Sequence, residues 1–177
     1  DQGYHFVNKD LQKELFNFLK DRFKYYLKEK QIRFDIIDAS ISSFSLNRLY
    51  STFEKAKCFN KIINDKIGID IISSYKRASN ILDSEMKNNK IEISNTTDPG
   101  IFKSEYEKNL FKKINEIKKY YTGINNDENY ENSLSILASA KNDVFDFFDN
   151  VKVNEENEIL RKNRLELINM LCKTFQN

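Results

Sequence analysis

Two arginines near the end of the chain have the spacing of a site that binds an anion. Arg161 and Arg164 lie in ILRKNRLELINML, three residues apart, so a helix places them one turn apart. A guanidinium presents forked donors that fit a phosphate or a guanine or cytosine edge. Arg164 also falls on the apolar stripe of this helix, where burying an unpaired charge costs several kcal/mol. We expect Arg164 either to form an ion pair with Asp146, Asp149 or Asp38, or to bind an anionic ligand.

A second group of polar and aromatic side chains lies where an ordinary core would not place them. Lys76 and Asn80 flank the inward stripe of a predicted helix, Arg77 points away from it, and Phe147 lies off the apolar stripe of a later helix. Exposed aromatic rings beside Lys and Arg are suited to stacking unpaired bases and binding phosphates. The alternatives are packing against a second helix for Phe147 and a solvated charge for Arg77.

Groups for catalysis are scarce in the sequence. His5 is the single histidine and cannot easily complete a triad or a metal cluster, so it is expected to be exposed. The sequence has no glycine-rich phosphate loop, no Cys-x-x-Cys and no serine on a nucleophile turn. Carboxylate pairs such as Asp35 with Asp38 are common on helix surfaces. We therefore expect no catalytic residue, cofactor or metal in this chain, and interpret it as a binding or interaction part.

The composition indicates a helical protein with little net charge and therefore no strong overall electrostatic field. The 177 residues fit one domain or a piece of a larger protein, and four Gly and one Pro leave few tight turns. The 29 Lys and Arg against 27 Asp and Glu give a net charge of only +2. No strong attraction to nucleic acid or to an anionic membrane follows from this charge. Any RNA contact must therefore come from local patches.

The cysteines and the hydropathy predict a cytoplasmic location. Cys58 and Cys172 lie far apart in helical patterns, so we interpret them as small reduced core residues. No apolar run approaches the roughly 18 residues of a membrane span, and the first residues do not resemble a signal peptide. We expect no membrane contact.

Apolar periodicity predicts an all-α bundle of about seven helices. They are expected at about residues 10–31, with Asn8 or Asp10 as the N-cap, and at about 34–41, 45–64, 68–82, 102–121, 130–148 and 151–175. The inward face of the fourth helix is expected to carry Ile69, Ile72, Tyr75, Ser79 and Leu82. Residues 83–100 are polar and asparagine-rich, so they predict a long surface loop within one domain spanning 1–177.

Three motifs in order resemble a known family. YKRASNIL (75–82) and FFDNVKVNEENEILRKNRLELINML (147–171) are similar to the C-terminal region of the β subunit of bacterial glycyl-tRNA synthetase. The family patterns are Lys-Arg-x-x-Asn-Ile-Leu, Phe-Phe-Asp-x-Val-x-Val and Leu-Arg-x-Asn-Arg-Leu. FNFLKDRFKYYL and FDIIDASI extend the resemblance to nearly the whole chain. Lys152 and Asn154 depart from apolar family positions, and Asp38-Ala39-Ser40-Ile41 is the nearest match to a literal Asp-Ala-Leu-Arg string.

The resemblance implies a DALR-type anticodon-binding domain, a non-catalytic fragment of a longer β subunit. The parent would be an α2β2 class II glycine–tRNA ligase that uses ATP and magnesium. The implied partners are tRNA(Gly), the rest of the β subunit and the α subunit, with no DNA. The tRNA-binding residues are expected in a groove of the fourth helix and the last two: Lys76, Arg77, Asn80, Phe147, Lys152, Arg161, Asn163 and Arg164. The alternative is a helical module that docks the rest of the synthetase without reading the anticodon.

Overall fold

The computed structural model describes residues 10–42, 44–89, 93–94, 96–123 and 130–176, apart from the side chains of residues 88 and 89. His5, Asn8 and the asparagine-rich segment after Gly123 lie outside the described residues. The described residues form eight α-helices and two short 3-10 helices, and none of them is in a β-strand. The prediction of an all-α protein is confirmed.

Backbone contacts divide the chain into two compact units, residues 1–63 and 64–177. The first unit contains three α-helices: α1 (Leu11–Glu29), α2 (Phe34–Ser42) and α3 (Leu49–Ile62). The described part of the second unit contains five: α4 (Lys66–Asn89), α5 (Glu105–Gly123), α6 (Tyr130–Ala138), α7 (Lys141–Asn150) and α8 (Glu158–Gln176). A single domain over 1–177 stays a prediction.

In the first unit, α2 packs against both α1 and α3. Its core is apolar and consists of Leu27, Ile32, Ile36, Ile37 and Ala56. Helix α1 ends in a Schellman motif, in which the N–H of Ile32 bonds the carbonyl of Leu27 and that of Gln31 bonds Lys28. Gln31 has a φ of 59° at the position that usually carries glycine. This tight reversal brings Ile32 into the core beside Leu27.

The outer face of α1 differs from the prediction. Leu11, Leu15 and Phe18 begin the apolar periodicity that predicts this helix, but these three side chains are exposed. Leu27 is the one residue of α1 that is fully buried. Helix α1 packs on α2, which has nine residues, and its aromatic rings also contact Phe44 and Phe53. Several apolar side chains of α1 still face solvent.

In the second unit, α8 occupies the centre. Both α4 and α5 pack against it, and ten of its residues are buried. The predicted stripe is confirmed in that Leu167, Ile168 and Leu171 are buried, while Leu160 and Phe175 are half-buried. Because neighbours cover α8 from several sides, its polar residues Asn163, Arg164, Glu166 and Thr174 are buried as well.

Helix α4 is longer than predicted and turns a different face inward. It continues to Asn89, so the predicted loop at 83–100 begins later. The buried positions are Gly68, Ile71, Ser74, Ala78 and Leu82, whereas Ile69 is exposed. The small side chains of Ser74 and Ala78 allow neighbouring helices to approach closely. An interface formed by small side chains cannot be predicted from the periodicity of large apolar residues.

One predicted helix is two helices in the structure. The continuous helix expected over 130–148 breaks between α6 and α7, at Ser139 and Ala140. The N–H of Ala140 bonds the carbonyl of Leu137, three residues back, and the Ser139 hydroxyl bonds the carbonyl of Ile136. These shorter bonds compete with the helical ladder and end it. The described residues therefore have eight α-helices where about seven were predicted.

Of the two cysteines, Cys172 is a core residue as predicted, whereas Cys58 is half-buried. Neither Cys58 nor Cys172 forms a disulfide, and Cys172 is buried. Burial raises the pKa of the Cys172 thiol to about 11, so the group stays protonated at neutral pH. Each helix in the described part of the chain is too short or too polar to cross a membrane.

Candidate nucleic-acid interface

Arg77 lies at the centre of the strongest candidate site. Its guanidinium carbon is 5.0 Å from the ring centroid of Phe148 and 5.5 Å from that of Phe145. Its Nη2 donates a hydrogen bond to Asp149 Oδ1 at 2.6 Å. The Arg77 side chain is one-third exposed and the Asp149 side chain is mostly exposed. The guanidinium is thus fixed on aromatic rings at the surface, with part of its donor fork open to solvent.

A groove of about 390 Å³ adjoins this arginine. One wall is α4, which contributes a polar face at helical spacing, and the other wall is the end of α7 with the turn that follows it. The lining residues are Arg77, Asn80, Ile81, Ser84, Glu85, Phe148, Val151, Val153 and Asn154. The lining combines an aromatic ring with apolar side chains. It also contains amide donors and acceptors and two charges of opposite sign. Such a lining can stack a flat ring and bond its polar edge.

Two ion pairs align α4 with α7. Lys141 Nζ lies 2.7 Å from Asp70 Oδ1, and Arg77 contacts Asp149 further along both helices. From the first ion pair to the second, the residue numbers increase on both helices, so α4 and α7 run in the same direction. The two pairs hold both ends of α7 against the first half of α4, so the groove is formed by rigid elements rather than by a loop alone.

Three other predicted contacts do not line this groove. Lys76 is exposed on α4 beside Arg77, and Lys152 has an exposed side chain in the turn after α7. Arg161 is half-buried, and its Nε is buried without a hydrogen-bond partner among the described residues. This groove is lined by α4, α7 and the turn that follows α7, and Arg161 of α8 is not among its lining residues. A groove that also includes the last helix stays a prediction.

Arg164 is buried and has different partners from those predicted. Its Nε donates to Glu107 Oε1 at 2.8 Å, and its Nη1 donates to the carbonyl of Lys152 at 2.8 Å and to Glu155 Oε2 at 3.2 Å. The expected partners Asp146, Asp149 and Asp38 are wrong; Asp149 pairs with Arg77 instead. Arg164 is not placed to contact tRNA, because its side chain is enclosed by the protein.

Glu107 is the residue that the sequence analysis missed. It is buried at the start of α5, where its Oε2 accepts hydrogen bonds from the backbone N–H groups of Lys103 and Ser104, both at 2.8 Å. The Ser104 hydroxyl accepts from the N–H of Glu107 in return. This is a capping box, and the Ser-x-x-Glu spacing of SEYE was visible in the sequence. One carboxylate therefore caps α5 and pairs with Arg164.

Phe147 is a core residue. None of its surface is exposed, so no base can stack on it, and the predicted stacking role is wrong for this structure. Its neighbour Phe148 is half-buried, contacts Arg77 and lines the groove. Helix α7 packs against both α4 and α5, and this places Phe147 in the core and Phe148 on the α4 side.

Asn163 is also occupied inside the protein. Its Oδ1 accepts hydrogen bonds from the N–H of Asp98 at 2.7 Å and the hydroxyl of Thr97 at 2.8 Å, and its Nδ2 donates to the carbonyl of Asp98 at 3.0 Å. The side chain is buried, so the predicted contact with tRNA is corrected to a structural role. Asn163 binds the segment before α5 to the side of α8.

Residues 71–177 match the model of the DALR anticodon binding domain. This chain belongs to that family. The DALR region of the chain lies within the second unit and contains the whole groove at Arg77. Residues 1–63 lie outside it.

The chain is also similar to curated proteins of one kind. It is 29% identical over 92% of its length to the glycine–tRNA ligase beta subunit of Dinoroseobacter shibae. It is 30% identical over 95% to that of Rickettsia africae and 31% identical over 95% to that of Rickettsia canadensis. The chain spans about a quarter of the length of these relatives, at 23%, 23% and 24%. The resemblance inferred from the three motifs is confirmed.

Within the DALR region, replacing Asn163 by alanine is expected to lower the free energy of unfolding by about 2 kcal/mol. The substitution removes a partner from Asp98 and Thr97, and buried groups that lose a partner cost about 1–3 kcal/mol. Urea denaturation followed by circular dichroism measures the change. Asn142→Ala is the control, since Asn142 is exposed on α7. Equal stability of both variants would show that the segment before α5 does not depend on Asn163.

Proposed function

We propose that the groove at Arg77 binds unpaired nucleotides of a tRNA anticodon loop. The observation that carries the proposal is the guanidinium of Arg77, fixed on Phe145 and Phe148 at the mouth of a groove inside the DALR region. A base entering this groove would stack on Phe148. Asn80 would bond the base edge, since its amide offers both a donor and an acceptor.

Phosphate contacts are assigned to the cations around the groove. Arg77 would bind a phosphate either through the guanidinium N–H groups that Asp149 leaves open or by giving up its hydrogen bond to Asp149. The exposed Lys76 and Lys152 would bind phosphates of the RNA backbone. Arg161 is assigned a phosphate contact at the first turn of α8 through the exposed part of its half-buried side chain. The small net charge of the chain favours modest affinity with a marked salt dependence.

Arg164 supports the groove from behind. By donating to the carbonyl of Lys152 and to Glu155, it fixes the turn that contributes Val151, Val153 and Asn154 to the lining. Its role in binding would be to position the turn and not to touch the RNA.

We further assign the chain to a glycine–tRNA ligase of class II, as part of a β subunit in an α2β2 assembly in the cytoplasm. The names of the relatives support the ligase assignment, and the substrate would be tRNA(Gly). The ligation itself requires ATP and magnesium. Among the described residues, no three His, Cys, Asp or Glu side chains are grouped as a metal site, and we assign none of the ATP-dependent chemistry to them.

A fluorescence titration of the chain with a glycine tRNA tests the proposal. The same tRNA with changed anticodon bases is titrated in parallel, at low and at moderate salt. We expect the unmodified anticodon to bind more tightly, and Arg77→Ala to weaken that binding about tenfold, because a well-placed arginine contact contributes about 1–3 kcal/mol.

Lys108→Ala is the matched control. Lys108 is also an exposed cation paired with a neighbouring carboxylate, Glu105, but it lies on α5 away from the groove. Its loss should change the salt dependence only slightly and leave anticodon discrimination intact. If Arg77→Ala and Lys108→Ala weaken binding equally, or if both tRNAs bind the chain equally, the groove does not read the anticodon.

A further inference from the structure

Helix α1 carries an unusual row of exposed aromatic and basic side chains on the side opposite its buried residue Leu27. We define the α1 stripe as Phe18, Arg22, Tyr25, Lys28 and Phe34, the last being the first residue of α2. The four residues of α1 are spaced by four, three and three positions, so they share one broad face of the helix. Phe34 joins this face because Lys28 lies over its ring.

The rings of the α1 stripe are open to solvent. Phe18 is 65% exposed, Tyr25 51% and Phe34 66%. Large aromatic side chains normally bury most of their surface on folding, and exposed clusters of them mark interaction sites. The first unit has its own apolar core, with Phe23, Phe53 and Phe59 packed against it. The stripe is therefore not needed to complete that core.

Cations accompany the rings in a regular way. The guanidinium carbon of Arg22 is 5.4 Å from the ring centroid of Tyr25, and Nζ of Lys28 is 5.7 Å from that of Phe34. A further pair, Lys30 with Tyr26 at 5.4 Å, lies next to them on the same helix end. Tyr25 and Phe34 thus each have a positive charge beside the ring, and such a cation can bind the phosphate next to a stacked base.

The charge of the first unit differs from that of the DALR region. Residues 1–63 contain 12 Lys and Arg against 8 Asp and Glu, a formal charge of +4. Residues 64–177 contain 17 against 19, a charge of −2. The net positive charge of the whole chain therefore comes from its first unit. An anionic partner is attracted to that unit more strongly than to the second.

A nucleic acid fits this surface better than a protein does. The centres of protein interfaces are depleted in lysine, whereas Lys28 stands between two rings of the stripe. Sequence-tolerant binding of single strands uses aromatic rings for the bases and neighbouring cations for the backbone. The α1 stripe has both, with three rings and two cations in alternation.

We propose that the α1 stripe is a second RNA-binding surface, which stacks unpaired nucleotides on Tyr25, Phe34 and Phe18 while Arg22 and Lys28 bind the phosphates between them. This surface lies outside the residues that match the DALR model, and the proposal does not rest on anticodon reading by the groove.

The test uses the whole 177-residue chain and a fluorescent oligouridine of about 12 nucleotides, a length within the site sizes of single-strand binding proteins. Tyr25→Ala and Phe34→Ala are each expected to weaken binding about tenfold, and Arg22→Gln to reduce the slope of log affinity against log salt by about 0.7. Tyr50→Ala is the matched control, because Tyr50 is a tyrosine on α3 outside the stripe and is more exposed than Tyr25, at 73% against 51%. Circular dichroism checks that each variant is folded.

A crosslinking experiment distinguishes binding of the oligomer at the α1 stripe from binding at the groove. The same measurements are made with the Arg77→Ala variant, and 4-thiouridine in the oligomer maps the contact by photocrosslinking. We expect crosslinks in the peptides that contain Tyr25 or Phe34, in both the original chain and the Arg77→Ala variant. Crosslinks confined to residues 76–154, stripe variants that bind like the original chain, or no binding of the oligomer would each overturn the proposal. If the original chain binds the glycine tRNA and the tRNA with changed anticodon bases equally while these crosslinks are unchanged, the groove proposal alone is refuted.

Discussion

Arg164→Met is expected to lower the free energy of unfolding by about 3–5 kcal/mol, the usual cost of removing one partner from a buried ion pair. The substitution leaves the carboxylate of Glu107 buried without its guanidinium and takes a donor from the carbonyl of Lys152. Urea denaturation measures the loss. Arg161→Met is the matched control in the same helix, with the same chemical change at a half-buried position, and should cost less than about 1 kcal/mol.

A double variant tests whether the lost stability comes from the unpaired charge of Glu107 or from the change in side-chain volume at Arg164. In Arg164→Met with Glu107→Leu, neither charge of this pair remains, so part of the lost stability should return. The return is only partial, because the Glu107 side chain no longer caps α5. If Arg164→Met alone unfolds at the same urea concentration as the original chain, the pair with Glu107 contributes nothing to stability. If Arg161→Met is the more destabilising variant, the structural and surface roles of the two arginines are reversed.

Phe147→Ala is expected to destabilise the protein by about 3–5 kcal/mol through a cavity in the core of the second unit. Phe147 has no exposed surface and lies where α7 meets its neighbours, so the surrounding helices cannot close the space without moving. Thermal unfolding followed by circular dichroism gives the change, and weaker tRNA binding should appear only where the variant is partly unfolded.

Phe148→Ala is the control for that prediction. This adjacent ring is half-buried and lines the groove, so its removal should cost less stability while weakening tRNA binding about tenfold in the folded protein. A large loss of stability from Phe148→Ala together with a small one from Phe147→Ala would contradict the placement of both rings. Unchanged tRNA affinity of folded Phe148→Ala would remove the stacking role from the groove.

The two phenylalanines show where sequence reasoning stops. The periodicity of α7 alone places Val144, Phe145 and Phe148 on one stripe and leaves Phe147 outside it. In the structure the buried direction is rotated toward Val144 and Phe147, because α5 covers one side of the helix and α4 the other. A helix between two neighbours has no single inward face, so the pattern of one helix cannot rank its aromatic residues.

Helix α4 is a second case in which periodicity predicts the helix but not its buried face. Its existence and the position of Arg77 and Asn80 on its surface follow from the segment YKRASNIL. Its inward face follows instead from Ser74 and Ala78, which are small enough for close helix packing, while Ile69 remains exposed. Interface geometry decides which of two neighbouring faces is covered, and that geometry involves residues far apart in the chain.

The sequence by itself determined the helical class, the family motifs and the need of Arg164 for a partner. Helical periodicity and composition are local properties, and a guanidinium on an apolar stripe must be neutralised wherever the helix packs. Only the tertiary structure decided that the partner is Glu107, 57 residues away, that Asn163 holds the segment before α5, and that Phe148 rather than Phe147 faces the groove. These choices depend on which helices become neighbours, and neighbouring helices are brought together by the packing of the whole unit.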